Sequence, residues 1–285
     1  MTATSRAKQA LRAVVPPALL ELVDRHRSEW SYVGTDWPDD AVDGRLDLSV
    51  AEVQRRHWPY LIEATAGSGP LGVSHFPWRY TRDDPADQNV MMSFGYALGL
   101  AARGKSRVSI LDWGGGLGHY YLYARALLPM VEVDYHCFDL APICAAGAEL
   151  QPSVRFLSDE SDLRGRRFDF VLSSSSLHYS RDWPAVLKVL AGTTGQYLYT
   201  ARLQTIGVKD SFVVKQTPRS AGYAGTYLSW FINRAQLLRR ARECGLRLER
   251  EFVFDENWFV RGAPEQGRSW GFLLSPEPAP AGSEF

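Results

Sequence analysis

The chain has 285 residues, 45% hydrophobic and 22% charged, and its 32 basic and 32 acidic side chains cancel to a net charge of zero. That length can bury a sizeable core, as one large domain or one domain with an appendage, and neutrality argues against a broad nucleic-acid footprint. Cys137, Cys144 and Cys244 are odd in number and far from zinc-site spacing, so free thiols in a reducing, cytoplasmic compartment and no metal are expected, while no apolar run approaches the roughly 18 residues that span a bilayer.

The chain opens with Arg6, Lys8 and Arg12 before an apolar stretch, a superficial likeness to a signal peptide. Pro16-Pro17 splits that stretch, Glu21 and Asp24 follow, and there is no small-residue cleavage site. The segment reads instead as one or two short amphipathic helices. Their apolar side packs on a neighbour or, as the weaker alternative, touches a membrane surface. Residues 1–85 are expected to form a helical, loop-rich N-terminal cap region, with a helix over 48–64 and a break at Gly67-Ser68-Gly69-Pro70.

Residues 86–275 alternate between the two periodicities. Helix 89–103, closed by Gly104, leads into strand 108–111 and a glycine turn. Helix 117–128 precedes strand 131–138, which ends at Asp139; helix 141–150 precedes strand 154–157, which ends at Ser158-Asp159-Glu160. Strand 168–172 runs into four serines, Ser173 to Ser176, followed by helix 183–190 and strand 196–201. Residues 203–231 read as a long aromatic connection. Helix 234–242 follows, capped by Asn233 with Gly245 past its end, and then strands 246–254 and 269–274. Residues 276–285 read as a disordered tail. The pattern predicts an α/β fold, a doubly wound seven-stranded sheet with a C-terminal antiparallel strand pair and a helical N-terminal extension. In such a sheet the loops after the strands share one edge, where ligands bind.

The decisive stretch is Ile110-Leu111-Asp112-Trp113-Gly114-Gly115-Gly116-Leu117-Gly118-His119. It places an acid and a glycine-rich turn between a strand and a helix, so that a nucleotide-like cofactor can lie against bare backbone. A phosphate cradle would not put a carboxylate there. A cofactor bearing an ammonium and a sulfonium would tolerate it, which points to S-adenosylmethionine before NAD or ATP. A GxGxxG fingerprint fails, because its third glycine would fall on His119 or Tyr121, and the Gly-Lys-Ser/Thr of a Walker loop is missing.

The order strand, Asp-x-Gly-x-Gly-x-Gly, helix, strand ending in Asp resembles class I S-adenosylmethionine-dependent methyltransferases, over about residues 90–275. More narrowly, the chain resembles a methyltransferase family of bacterial surface-polysaccharide gene clusters. The supporting runs are Arg12-Ala13-Val14-Val15-Pro16-Pro17, Trp113-Gly114-Gly115-Gly116 and Ser176-Leu177-His178-Tyr179. The resemblance implies that Gly114, Gly116 and Gly118 form the methionine-side turn and that Asp112 organises it and faces the cofactor's cationic end. Asp139 would accept from the ribose diol, with simple helix capping as its alternative. Ser158 or Asp159 would reach the adenine amino group. Trp113, Phe138 and Leu140 would line the base or thioether, and Ser174 and Ser175 would lie beneath the reacting methyl.

Methyl transfer needs alignment and, for a hydroxyl acceptor, a base. His178, after the fourth strand, is the first candidate, followed by His119 at a helix start, where the dipole would keep it neutral, and His75 in the aromatic N-terminal segment. His57, Trp58, Tyr60, Trp78, Tyr80, Tyr223, Tyr227 and Trp230 are the pool of lid residues. The expected reaction is O-methylation of a small-molecule or glycan acceptor. A non-catalytic scaffold of the same fold, or a methyltransferase acting on protein or on nitrogen, is the alternative; pairing as a homodimer stays open.

Overall fold

The computed structural model describes residues 28–39, 49–72, 84–218, 225–256 and 258–278. The elements in chain order are β1 (Trp30–Gly34), α1 (Ser49–Ala66), α2 (Pro85–Ala102), β2 (Arg107–Trp113), α3 (His119–Leu127), β3 (Glu132–Phe138), α4 (Ala141–Leu150) and β4 (Arg155–Leu157). They continue with β5 (Phe168–Ser174), α5 (Trp183–Thr193), β6 (Thr194–Ile206), β7 (Phe212–Gln216), β8 (Tyr227–Asn233), α6 (Arg234–Glu243), β9 (Leu246–Phe254), β10 (Val260–Arg261) and β11 (Arg268–Pro276). Asn233 caps α6, its side chain accepting from Gln236 N at 3.1 Å.

Successive side chains of β2 enter opposite cores, as strand geometry requires. Ile110 packs on one face with Phe94 and Leu98 of α2 and Tyr123 of α3. Leu111 packs on the other with Leu187 and Leu190 of α5 and Leu237 of α6. Burial on both faces is why the inner strands read as unbroken apolar runs rather than alternating ones.

Strands β2 to β6 pair in parallel, and β11 runs antiparallel between β6 and β9. This gives the order β4-β3-β2-β5-β6-β11-β9, with chain direction reversing its progress between β2 and β5. Ligands of open α/β sheets bind outside the strand C-termini at such a switch point.

The expected seven strands are these, but the sheet has eleven among the described residues. The stretch expected as a connection over 203–231 holds the end of β6, all of β7 and the start of β8. β6 continues to Ile206, where it pairs with β8; β7, β1 and β10 then extend the sheet. β7 was hidden because Phe212, Val213 and Val214 are all buried and show no alternation. The N-terminal region expected to be helical therefore contributes a strand as well as α1. Trp30, Phe212, Val214, Phe231 and Val260 form a separate small core for this ribbon. No helix among the described residues is long and apolar enough to cross a membrane, and the first 27 residues, with their amphipathic segment, and the C-terminal tail from 279 onward lie outside the described residues.

Candidate active site

The glycine turn follows β2. Gly114, Gly116 and Gly118 all hold left-handed backbone, with φ of 70°, 59° and 79°, a region that costs other residues about 1–2 kcal/mol. Close approach adds a second constraint: a Cβ on Gly114 would lie 2.4 Å from the Cβ of Ser176. Gly114 N donates to Phe138 O at 2.7 Å, tying the turn to the end of β3. Gln54 of α1 covers the turn from the other side, its Oε1 accepting from Leu117 N at 2.9 Å.

Asp139 clamps this turn to the next loop. Its Oδ2 accepts from Gly116 N at 2.8 Å and its Oδ1 from Leu140 N at 2.7 Å. The simple capping alternative does not hold, because Leu140 occupies the N-cap of α4 with no side-chain cap. Trp113 and Phe138 stack with ring centroids 4.2 Å apart.

Asp112 departs from its expected role. It is 1% exposed and lies beneath the turn, accepting from the Tyr135 hydroxyl at 2.6 Å. Burial pushes its carboxyl up to about 7 against the opposing pull of that hydrogen bond. It supports the loop and does not line the cavity, so it does not face a cationic ligand directly. Asp159 also departs: its Oδ1 caps a short 3-10 turn by accepting from Ser161 N at 2.8 Å, and this bond lowers its pKa. Gly118 turns the chain into α3 without lining the cavity.

A cavity of about 760 Å³ collects the other expected residues: Trp113, Gly114, Gly116, Asp139, Leu140, Ser158, Ser174, Ser175, His119 and His178. Ser174 is held by Tyr120, hydroxyl to hydroxyl at 2.8 Å. Ser176 donates to Trp113 O at 2.7 Å, stitching the serine loop to the glycine turn. His178 is 1% exposed, and burial pushes its imidazole down to about 3. His119 is pushed down to about 4, by burial first and then by the charge of Arg202. Both rings are neutral at physiological pH. His75, Trp78, Tyr80 and Tyr223 lie outside the described residues.

The sequence reading missed the polar wall. Arg202 on β6 is 4% exposed, and its Nη2 lies 2.7 Å from both Asp87 Oδ1 and Glu256 Oε1. Burial, with the negative charge of Glu256 adding to it, raises Asp87 to about 6 despite the guanidinium. Gln204, two residues along β6, is buried beside the same cavity. The two non-glycine residues with left-handed backbone among those described, Ser175 (φ 54°) and Arg202 (φ 53°), both line this cavity, and strain of this kind concentrates at functional sites. The available signal was a lone arginine inside an apolar strand. Among the described residues of the expected lid pool, Tyr227 alone lines the cavity, joined by Trp30, Trp258 and Tyr179.

These groups fit the nucleoside and cationic tail of S-adenosylmethionine. Gly114, Gly116 and the carboxylate of Asp139 line the cavity, Leu140 and Ile143 form an apolar wall, and the neutral histidines place no charge against a sulfonium. Among the described residues no group of three or more His, Cys, Asp or Glu could hold a metal ion.

A methyltransferase domain model matches residues 96–251. No curated protein matches the chain. Among solved structures the chain is similar to 1,6-didemethyltoxoflavin-N1-methyltransferase from Burkholderia thailandensis, bound to 1,6-didemethyltoxoflavin and S-adenosylhomocysteine, at 17% identity over 87% of this chain and 95% of that one, with a TM-score of 0.49. It is also similar to magnesium protoporphyrin IX methyltransferase from Synechocystis PCC 6803, bound to S-adenosylhomocysteine, at 14% identity over 81% and 97%, with a TM-score of 0.49. With the matched domain covering more than half of its length and holding the glycine turn, Asp139 and both cavity histidines, the chain belongs to the methyltransferase domain family, whose methyl donor is S-adenosylmethionine.

Proposed function

We propose that this methyltransferase acts on a hydroxyl oxygen of a small, hydrophilic acceptor, a sugar or glycan unit. The observation that carries this reading is the continuity of one cavity from the glycine turn and Asp139 to a wall of buried polar side chains, His178, Arg202 and Gln204. Buried polar groups lose about 1–3 kcal/mol when left unpaired, so such a wall selects a ligand rich in hydrogen-bonding groups over an apolar one. A cavity of about 760 Å³ is of the size that encloses small molecules. The glycan acceptor draws further support from the sequence runs at residues 12–17 and 176–179.

When bound, the cofactor supplies an electrophilic methyl on a sulfonium. The chain's own work is alignment and proton handling. Asp139 holds the ribose and the glycine turn receives the methionine end. Ser174, fixed by Tyr120, and the strained Ser175 shape the floor after β5. His178 accepts the acceptor's hydroxyl hydrogen, orients the oxygen lone pair and takes the proton as it is released. Burial keeps the ring neutral, so one ring nitrogen is in the accepting form at physiological pH. A cytoplasmic setting belongs to this reading and is supported by the free thiols of Cys137, Cys144 and Cys244.

The test is transfer of an isotopically labelled methyl group to a panel of hydroxylated sugars, with the product mapped by carbon NMR. The methyl is expected on oxygen; a product labelled on nitrogen or carbon overturns the reading.

A further inference from the structure

Strand β6 slips in register against β11. Leu203 pairs with Trp270 and Thr200 with Phe272, so Ala201 and Arg202 together face Gly271. This is a β-bulge, which bends a strand and re-aims the side chains beyond it. Before the bulge, Tyr199 and Ala201 enter the core shared with α2 and α3, and Leu198 enters the core shared with α5 and α6. Strict alternation would send Leu203 to the first core and Gln204 to the second. Leu203 instead packs in the second, and Gln204 comes out on the cavity wall with Arg202.

The side chain that the bulge delivers is unsatisfied. Gln204 is 5% exposed, and its Oε1 has no hydrogen-bond partner among the described residues. Burying an amide oxygen without a partner is costly, and an apolar side chain at this position would serve the fold better. The amide therefore points to a ligand. Two placements assign it to the acceptor rather than the donor. In the order β2-β5-β6, Gln204 stands two strand spacings, about 10 Å, from the strand that leads into the glycine turn. The 3-10 turn Leu177–Tyr179, which carries His178, packs on β6 and β8. His178 is 1% exposed, and its Nδ1 also has no hydrogen-bond partner among the described residues.

We propose that Gln204 is a specificity-determining residue of the acceptor site, binding a second, non-reacting hydroxyl beside the one that His178 orients. This rests on the oxygen-transfer reading and deepens it. A terminal amide turns readily about χ3 and presents either its oxygen or its NH2 group. A hydroxyl both donates and accepts, so it satisfies the amide in either orientation. A site built in this way rejects an analogue that lacks the hydroxyl, because the amide is then left unpaired. The acceptor is accordingly a polyol, and Gln204 selects which of its hydroxyls reaches the methyl.

The test has two arms, both on the full chain. Without any acceptor, Gln204→Met is expected to raise the urea unfolding midpoint, because an apolar side chain of similar length leaves no amide unpaired. An unchanged or lower midpoint, or failure to fold, makes the amide structural and overturns the proposal. In the second arm, labelled-methyl transfer from saturating S-adenosylmethionine is measured to glucose, galactose, mannose and rhamnose, and to the monodeoxy analogues of the sugar that takes the label. Loss of one hydroxyl other than the methylated one is expected to lower kcat/KM by about tenfold or more in wild type, and by less than about threefold in Gln204→Met. S-adenosylhomocysteine affinity of the variant should stay within about threefold of wild type in calorimetry. The proposal is overturned by deoxy discrimination that survives Gln204→Met, or by loss of S-adenosylhomocysteine binding in that folded variant, which would assign Gln204 to the cofactor. The oxygen-transfer reading fails separately, on the position of the labelled methyl, and the unfolding arm does not depend on it.

Discussion

The carboxylate of Asp139 accepts a hydrogen bond from the backbone N–H of Gly116 at 2.8 Å, so the residue proposed to hold the cofactor's ribose also holds the loop proposed to receive its methionine end. The two halves of the donor site are thus mechanically joined. Asp139→Ala removes the clamp and the diol acceptor together. Hydrogen bonds to charged groups contribute about 1.5–3 kcal/mol, so S-adenosylhomocysteine affinity should fall by about 10- to 100-fold in calorimetry. Asp139→Asn, which keeps one acceptor oxygen, should lose less; equal affinity in wild type and Asp139→Ala would remove Asp139 from the site.

Gly114→Ala should destabilise the fold. The new methyl would meet the Cβ of Ser176 at 2.4 Å in a backbone with φ of 70°. Left-handed strain of about 1–2 kcal/mol combines with overpacking of about 1–3 kcal/mol. A urea unfolding midpoint unchanged from wild type would show that the serine loop moves aside freely.

His178→Ala should leave donor binding intact and slow turnover by about 10²-fold, the lower end of acid–base contributions. Separate measurement of kcat and S-adenosylhomocysteine affinity distinguishes this from general damage. A rate within twofold of wild type at saturating donor excludes His178 from proton transfer.

Arg202→Met should leave Asp87 and Glu256 facing each other without a cation. Breaking a buried ion pair from one side costs on the order of 3–5 kcal/mol, so the variant should unfold at markedly lower urea. The triple variant Arg202→Met, Asp87→Asn, Glu256→Gln should recover much of that stability, because no charge is then left behind. Failure of the triple variant to recover would place the role of Arg202 in packing rather than charge.

The contribution of two buried carboxyls to stability should decline as pH rises from about 4 to 7, against the opposite contribution of His119 and His178, which burial holds neutral. Asp87 and Asp112 have carboxyls raised to about 6 and about 7 in the folded chain, from 3.8. A raised carboxyl makes the folded state the better proton binder, so its contribution is present below pH 4 and lost as pH passes the folded value. Asp112→Asn should flatten this decline, measured as urea unfolding free energy at pH 5 and pH 8. A slope identical to wild type would show that Asp112 ionises in the fold without cost.

The donor half of the site was legible because its determinants are local. Gly114 and Gly116 need their backbone conformation within a single turn, and Asp139 follows directly from the end of a strand. Asp112 and Asp159 were expected at the cofactor, and neither lines the cavity. Whether a carboxylate faces a ligand, a tyrosine beneath the loop or its own turn depends on the packing around it. Strand β7 was missed because burial on both faces removes the alternation that marks a half-exposed strand.

The sequence by itself determined the alternating α/β order, the glycine turn and the acid that clamps it, because strand period, helix period and backbone freedom act over a few neighbouring residues. Only the tertiary structure decided the polar wall of the cavity. Arg202 and Asp87 are 115 positions apart in the chain, and Glu256 reaches them from the segment after β9. Their meeting depends on the register of β6, the seating of α2 and the added ribbon of β1, β7, β8 and β10, so it exists only once those elements have closed around the cavity.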